Sequence, residues 1–157
     1  MTAPVAVVIE LDAGEVDLSA LVPLLLYDGR CGLCDRSVRF AFRHDVRGVI
    51  RAAPLDGETA ARVRAHFAGA TFGDTVILVD RDPRTGALRW YERSDAVIGA
   101  LRHLDGPWPA FGALLALIPR VLRDLAYRAV ARVRRRVFGT VDACALPPAE
   151  WRTRLLP

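Results

Sequence analysis

At 157 residues, with 52% hydrophobic and 25% charged residues, the chain has the size and balance of one soluble globular domain, which excludes a disordered or fibrous protein. The net charge is +4 and all 22 cations are arginine; residues 1 to 28 carry five acids and no arginine, so the basic surplus lies downstream. The longest apolar run, Pro109 to Ile118, falls well short of the ~20 residues that span a bilayer, and Met1 to Val8 has no cationic start of a secretory signal, so no membrane insertion and a cytoplasmic location are expected.

Residues 1 to 20 form an N-terminal arm or an extra edge strand around Val5 to Ile9. The continuous apolar run Leu21 to Tyr27 suits a strand buried on both faces, and Asp28-Gly29 closes it with a turn. Val38, Phe40, Ala41 and Phe42 recur at near-helical spacing among arginines, which predicts a helix from Cys31 to about Asp45. Val49 to Pro54 reads as a second strand and Thr59 to Phe67 as a second helix. Thr75 to Val79 and Ala87 to Tyr91, joined by a turn rich in Asp, Pro and Gly, read as a β-hairpin. Ser94 or Asp95 caps a third helix that ends near Leu104. Pro109 to Phe138 reads as helices broken at Pro119, and residues 147 to 157 as a tail.

The order from Leu21 to Leu104 is strand, helix, strand, helix, strand, strand, helix. It resembles the order of thioredoxin-like domains: α/β class, three layers, a mixed central sheet between helices, here with a C-terminal helical extension. No repeat or second core is visible, so one domain over 21 to 146 is expected.

Three cysteines are too few for a disulfide framework, so a close pair reads as redox or metal chemistry. Cys31 and Cys34 are three apart and share a face of the predicted helix, with Cys31 in its opening turn. There the unpaired N–H groups favour a thiolate. Cys31 is then the attacking thiolate and Cys34, one turn in and more buried, the thiol that releases product. Two other readings stand beside this one. Zinc uses the same spacing but needs three or four ligands, and the remaining candidates, His44, His66, His103 and Cys144, are scattered. An inert pair of small buried side chains is the third. No cofactor is implied.

Residues 25 to 40, Leu-Leu-Tyr-Asp-Gly-Arg-Cys-Gly-Leu-Cys-Asp-Arg-Ser-Val-Arg-Phe, resemble the signature of the DCC family of thiol-disulfide oxidoreductases, named for its Asp, Cys and Cys, which fall here on Asp28, Cys31 and Cys34. The resemblance continues in Asp74 to Asp80, Ser94 to Val97, Tyr127-Arg128, Ala131-Arg132 and Cys144. It implies a thioredoxin-like fold and protein-disulfide reductase activity, a reaction type and not a substrate; the expected partner is a disulfide-containing protein or small-thiol substrate. Thioredoxins place a cis-proline before the third strand, whereas Asp74 and Thr75 stand here, and Thr75 is expected to offer backbone hydrogen bonds beside Cys31.

Asp28 has two readings, a buried base with a raised pKa that takes the Cys34 proton and a turn residue bonding nearby N–H groups. Cys144 is a third redox thiol or a buried bystander. Pro119 to Arg136 carries seven arginines against the one acid Asp124. Leu122, Leu125, Ala129 and Val133 are expected to pack on the domain, with the arginines in solvent. The alternative is a non-catalytic binding module that uses this helix to hold a membrane surface or another partner. Trp90, Trp108 and Trp151 show no stacking pattern with the basic patch, so nucleic acid is not an expected partner; a monomer is expected.

Overall fold

The computed structural model describes residues 17–68, 72–73, 75–140 and 148–157. The expected edge strand around Val5 to Ile9, Asp74 and Cys144 lie outside the described residues.

The first two strands, β1 (Leu24–Tyr27) and β2 (Arg51–Pro54), are parallel and flank the helix α1 (Gly32–His44) in sequence. After α2 (Glu58–His66) come β3 (Ile77–Arg81) and β4 (Leu88–Glu92), then α3 (Arg93–Arg102), α4 (Trp108–Ala116) and α5 (Arg120–Phe138). The sheet order is β2-β1-β3-β4, with β3 antiparallel to both neighbours. This is the mixed sheet of a thioredoxin-like α/β fold, extended by C-terminal helices.

Alternation along the strands makes the two cores. Leu25 and Leu78 point to one face, where Val38, Ala41 and Phe42 of α1 and Ala96 and Leu101 of α3 cover them. Leu24, Leu26, Ile77 and Val79 point to the other, against Ala60 and Val63 of α2. Successive strand residues face opposite sides, so β1 needs an unbroken apolar run, and its three leucines are all buried.

Two local expectations are corrected. The third helix begins at Arg93, with Glu92 as its cap residue. The Ser94 hydroxyl donates instead to Asp124 at 2.5 Å, and Asp95 pairs with Arg120 and Arg123. The helix α5 also docks with one polar strip inward in place of its apolar stripe, while Arg120, Arg128, Arg132, Arg135 and Arg136 stay in solvent as expected. Arg123, Tyr127 and Arg134 share a face and meet the domain, while Val121 is 74% and Leu125 55% exposed. The acids Asp28 and Asp95 on the receiving surface attract that face, and the helix's own polarity pattern carries no trace of them. The expected C-terminal tail meets β2 through residues 154–156. Ala52 donates to the Arg154 carbonyl at 2.9 Å and accepts from Leu156 N–H at 2.8 Å, and Trp151 is buried against Phe42.

An ion pair fastens that end. Asp45 is buried at the end of α1, accepts the Ile50 N–H at 2.7 Å and is paired with the Arg154 guanidinium, which also stacks over Phe42. Replacing Arg154 with Met leaves the Asp45 carboxylate buried and without its cation, and is expected to cost about 3–5 kcal/mol in urea unfolding. An unchanged midpoint would mean that the C-terminal residues contribute nothing to stability.

Candidate active site

The chain leaves β1 at Tyr27 and turns through Asp28 and Gly29. The Cys31 N–H donates to the Asp28 carbonyl at 3.1 Å, and Cys31 takes the N-cap position of α1 with extended backbone angles. Its carbonyl accepts the Asp35 N–H at 3.0 Å, which opens the helix. Cys34 follows one turn on, close to Cys31, and both thiols are free. The expected adjacency is present.

The expected order of exposure is reversed. Cys31 is 0% exposed, whereas Cys34 is half-buried and opens into a cleft. The cause is the end of α5. Gly139 turns the chain with φ +69°, a conformation that costs glycine little, and lays Thr140 against Cys31 as an antiparallel bridge. The Gly32 N–H donates to the Gly139 carbonyl at 3.1 Å. A side chain at position 32 would collide with the Phe138 carbonyl oxygen, so the first residue between the cysteines must be glycine for this strap to close.

Arg134 is the residue that sequence reasoning missed. It is 4% exposed and bridges the site, donating from Nη1 to Cys34 Sγ and from Nη2 to Asp28 Oδ2, both at 3.3 Å. Arg135 adds a bond to the same carboxylate oxygen at 2.8 Å, and the Arg30 N–H donates to Asp28 Oδ1 at 3.0 Å. A hundred residues separate Arg134 from Cys34, so the only available signal was its seven-residue spacing from Tyr127, which places both on one face. The Tyr127 hydroxyl accepts from the Val76 N–H and the Thr75 hydroxyl, each at 3.0 Å, and pins α5 to the head of β3.

The charges follow from these contacts. Burial pushes the Cys34 thiol up to about 12; the neighbouring Cys31 thiol adds to this, and the Arg134 guanidinium works against it. Burial also opposes the Asp28 carboxylate, but the bonds from Arg135 and the Arg30 N–H and the charge of both arginines outweigh it and hold its pKa below the usual value. That direction is opposite to what a base collecting the Cys34 proton requires. Asp28 anchors two arginines and bonds the turn. Thr75 is committed elsewhere, its N–H to the Gly73 carbonyl at 2.8 Å and its hydroxyl to Tyr127. The cis peptide among the described residues is Val22–Pro23, ahead of β1.

The zinc candidates are spread apart. His44 packs on Phe40 and Trp108, His66 on Phe67, and His103 bonds Asp80 at 2.6 Å. Among the described residues, no three His, Cys, Asp or Glu side chains converge as a metal site, and no helix is long and apolar enough to cross a membrane.

Comparison with known proteins gives a consistent set. A family model described as DCC1-like thiol-disulfide oxidoreductase matches residues 25–140. The uncharacterized protein YuxK of Bacillus subtilis is 32% identical over 136 residues, covering 85% of this chain and 93% of that protein. A chloroplastic DCC family protein of Arabidopsis thaliana is 33% identical over 125 residues, covering 79% of this chain and 69% of that one. No solved structure matches.

Two measurements check the site. Because the thiolate is the species that alkylates, Cys34 in the reduced protein should stay slow toward iodoacetamide until the pH is well above the 9.0 of a free thiol, as read by mass; an inflection near 9 contradicts the burial argument. The same raised value means the fold is favoured below pH 9 and loses that contribution as the pH climbs toward 12. Gly32→Ala should cost about 1–3 kcal/mol through the forced backbone shift and speed Cys31 alkylation by displacing Thr140. An unchanged alkylation rate would mean that the strap does not seal Cys31.

Proposed function

Because the chain belongs to the DCC1-like thiol-disulfide oxidoreductase family, we propose that it exchanges thiols and disulfides through a reversible Cys31–Cys34 disulfide. What supports this most is the contact of two free thiols at the first turn of α1, directly after a buried strand. In this reading Cys31, at the N-cap of α1, is the attacking thiolate once Thr140 has left it. Its sulfur bonds to one sulfur of the substrate disulfide, the substrate S–S bond breaks, and the other half departs as a thiolate. Cys34 then gives up its proton to that thiolate and attacks the Cys31 sulfur. The mixed disulfide breaks, the second substrate thiolate leaves, and the protein is left with a Cys31–Cys34 disulfide. A thiol reductant restores the pair.

Cys34 has to ionise in the second step, although burial holds its proton. Arg134 beside Sγ stabilises the thiolate that forms, and Asp28 holds Arg134 in place. Both residues position and charge the site without collecting the proton. The alternative of a binding module keeps Arg128, Arg132 and Arg136 in solvent to meet a partner, whereas Arg123 and Arg134 are engaged with Asp95, Cys34 and Asp28.

The reading is tested with single-cysteine variants. Cys31→Ser should abolish reduction of a protein disulfide, and Cys34→Ser should trap a mixed disulfide that dithiothreitol releases, as seen on non-reducing gels. Full activity in Cys31→Ser, or no trapped species in Cys34→Ser, would contradict the assigned order.

A further inference from the structure

The end of α4 and the outer side of α5 form an apolar face that none of the described residues covers. Of the twelve large apolar side chains exposed among the described residues, ten lie between Phe111 and Val137. Six of these stand outside the cleft at Cys34: Leu114 of α4, Leu117 at the corner, and Val121, Leu125, Val133 and Val137 of α5. Leu117 is 79% and Val137 67% exposed. Side chains of this size and exposure present on the order of several hundred Å² of apolar surface, as much as the largest patch on an ordinary monomer, and such a patch marks an interaction site.

Cations run through the same face. Residues three and four apart stack along one side of a helix, so Arg128, Arg132 and Arg136 continue the row begun by Val121 and Leu125. All three are exposed, and none pairs with an acid among the described residues. From Trp108 to Phe138 the chain has seven arginines and a single acid, Asp124, which accepts from the Ser94 hydroxyl.

We infer that this face seats the protein on an anionic lipid surface, with the aliphatic side chains of the α4–α5 corner among the outermost acyl carbons and Arg128, Arg132 and Arg136 at the lipid phosphates. Aliphatic side chains beside arginines on one side of a helix suit the plane of a membrane interface. The arginine stems lie along apolar surface while their guanidinium forks reach phosphate oxygens. No helix among the described residues is long and apolar enough to cross a bilayer, so the pair lies on the surface. Charge separates this occupant from two others. A two-fold contact with a second copy sets the arginine row against itself or against the aliphatic row, with no acid to meet it in either case. A nucleic acid satisfies the arginines but leaves Leu114, Leu117 and Val121 in water. Arg134 lies two residues beyond Arg132, on the opposite side of the helix, so seating the outer face does not involve the thiols and the inference stands apart from the exchange reading.

The test is co-sedimentation of the purified full chain with vesicles of phosphatidylcholine containing one third phosphatidylglycerol, and with vesicles of phosphatidylcholine alone. The wild-type protein should pellet with the anionic vesicles, weakly or not at all with the neutral ones, and less as salt is added. Replacing Arg128, Arg132 and Arg136 together with Gln should weaken binding about a hundredfold, at roughly fivefold per arginine. Val121→Glu and Leu125→Glu, with Leu125→Ala as a gentler variant, should each weaken it about tenfold through lost apolar burial. Gln at Arg43, Arg62 and Arg84 together, which removes the same charge elsewhere, and Val46→Glu, outside this face, should bind the anionic vesicles far better than the helix variants. Circular dichroism checks that each variant is folded. The lipid assignment is overturned if the wild-type protein does not pellet, if it pellets equally with both vesicles, or if the helix variants bind no worse than the controls. Equally tight binding to a DNA duplex would overturn it too, as would a dimer in sedimentation velocity that Val121→Glu splits.

Discussion

The position of Arg134 is the constraint on which the rest of the site depends. A guanidinium this deeply buried must be met by acceptors, and it is met by the Cys34 sulfur and the Asp28 carboxylate at once. That demand fixes the rotation of α5, and the rotation has three consequences. The polar face of the helix turns onto Asp95, Ser94 and the head of β3 through Arg123, Asp124 and Tyr127. The apolar face turns outward and walls a groove. The end of the helix arrives over Gly32 and lays Gly139 and Thr140 on Cys31.

The same contacts decide how charge is shared between the thiols. Near the pair in sequence, Arg30 and Arg36 oppose Asp28 and Asp35 and the balance looks even. In the fold Asp28 is neutralised by Arg134 and Arg135, Asp35 is bonded by Arg39 at 2.7 Å, and Arg36 lies over the Phe138 ring. The neighbouring acids are thus occupied, and the cation that touches a thiol comes from the far end of the chain. Desolvation still dominates at Cys34 and keeps it protonated. A resolving thiol that holds its proton until a mixed disulfide sits beside it, with a guanidinium ready to support its thiolate, suits the second half of an exchange reaction.

Much of this was legible in the sequence where the cause is local. The run of leucines in β1 reads as a doubly buried strand because it is one, and the step from period two to period 3.6 after Asp28-Gly29 places Cys31 at a helix start. Pro119 and Gly139 bound α5 in both readings. What was not legible depends on contacts between distant segments. The hydrophobic stripe of α5 reads as its buried side by the ordinary rule, and only Asp28 and Asp95, set in space by the sheet and by α3, reverse it. Likewise no property of Cys31 itself predicts that it is sealed, since the seal is made by Thr140. How the tail at 148–157 is fastened was not legible because its anchor, Asp45, lies 109 residues before Arg154.

The central claim is that Cys31 and Cys34 act as one redox couple. A redox titration of the purified protein, in buffers of set thiol and disulfide ratio with free thiols alkylated and located by mass, tests it most directly. The account predicts that the two cysteines lose their thiols together in a single two-electron step, about 30 mV per tenfold change in ratio, between roughly −120 and −300 mV. If either thiol remains alkylatable across that range while the other is oxidised, or if both stay free throughout, the pair is not a redox couple and the account is wrong.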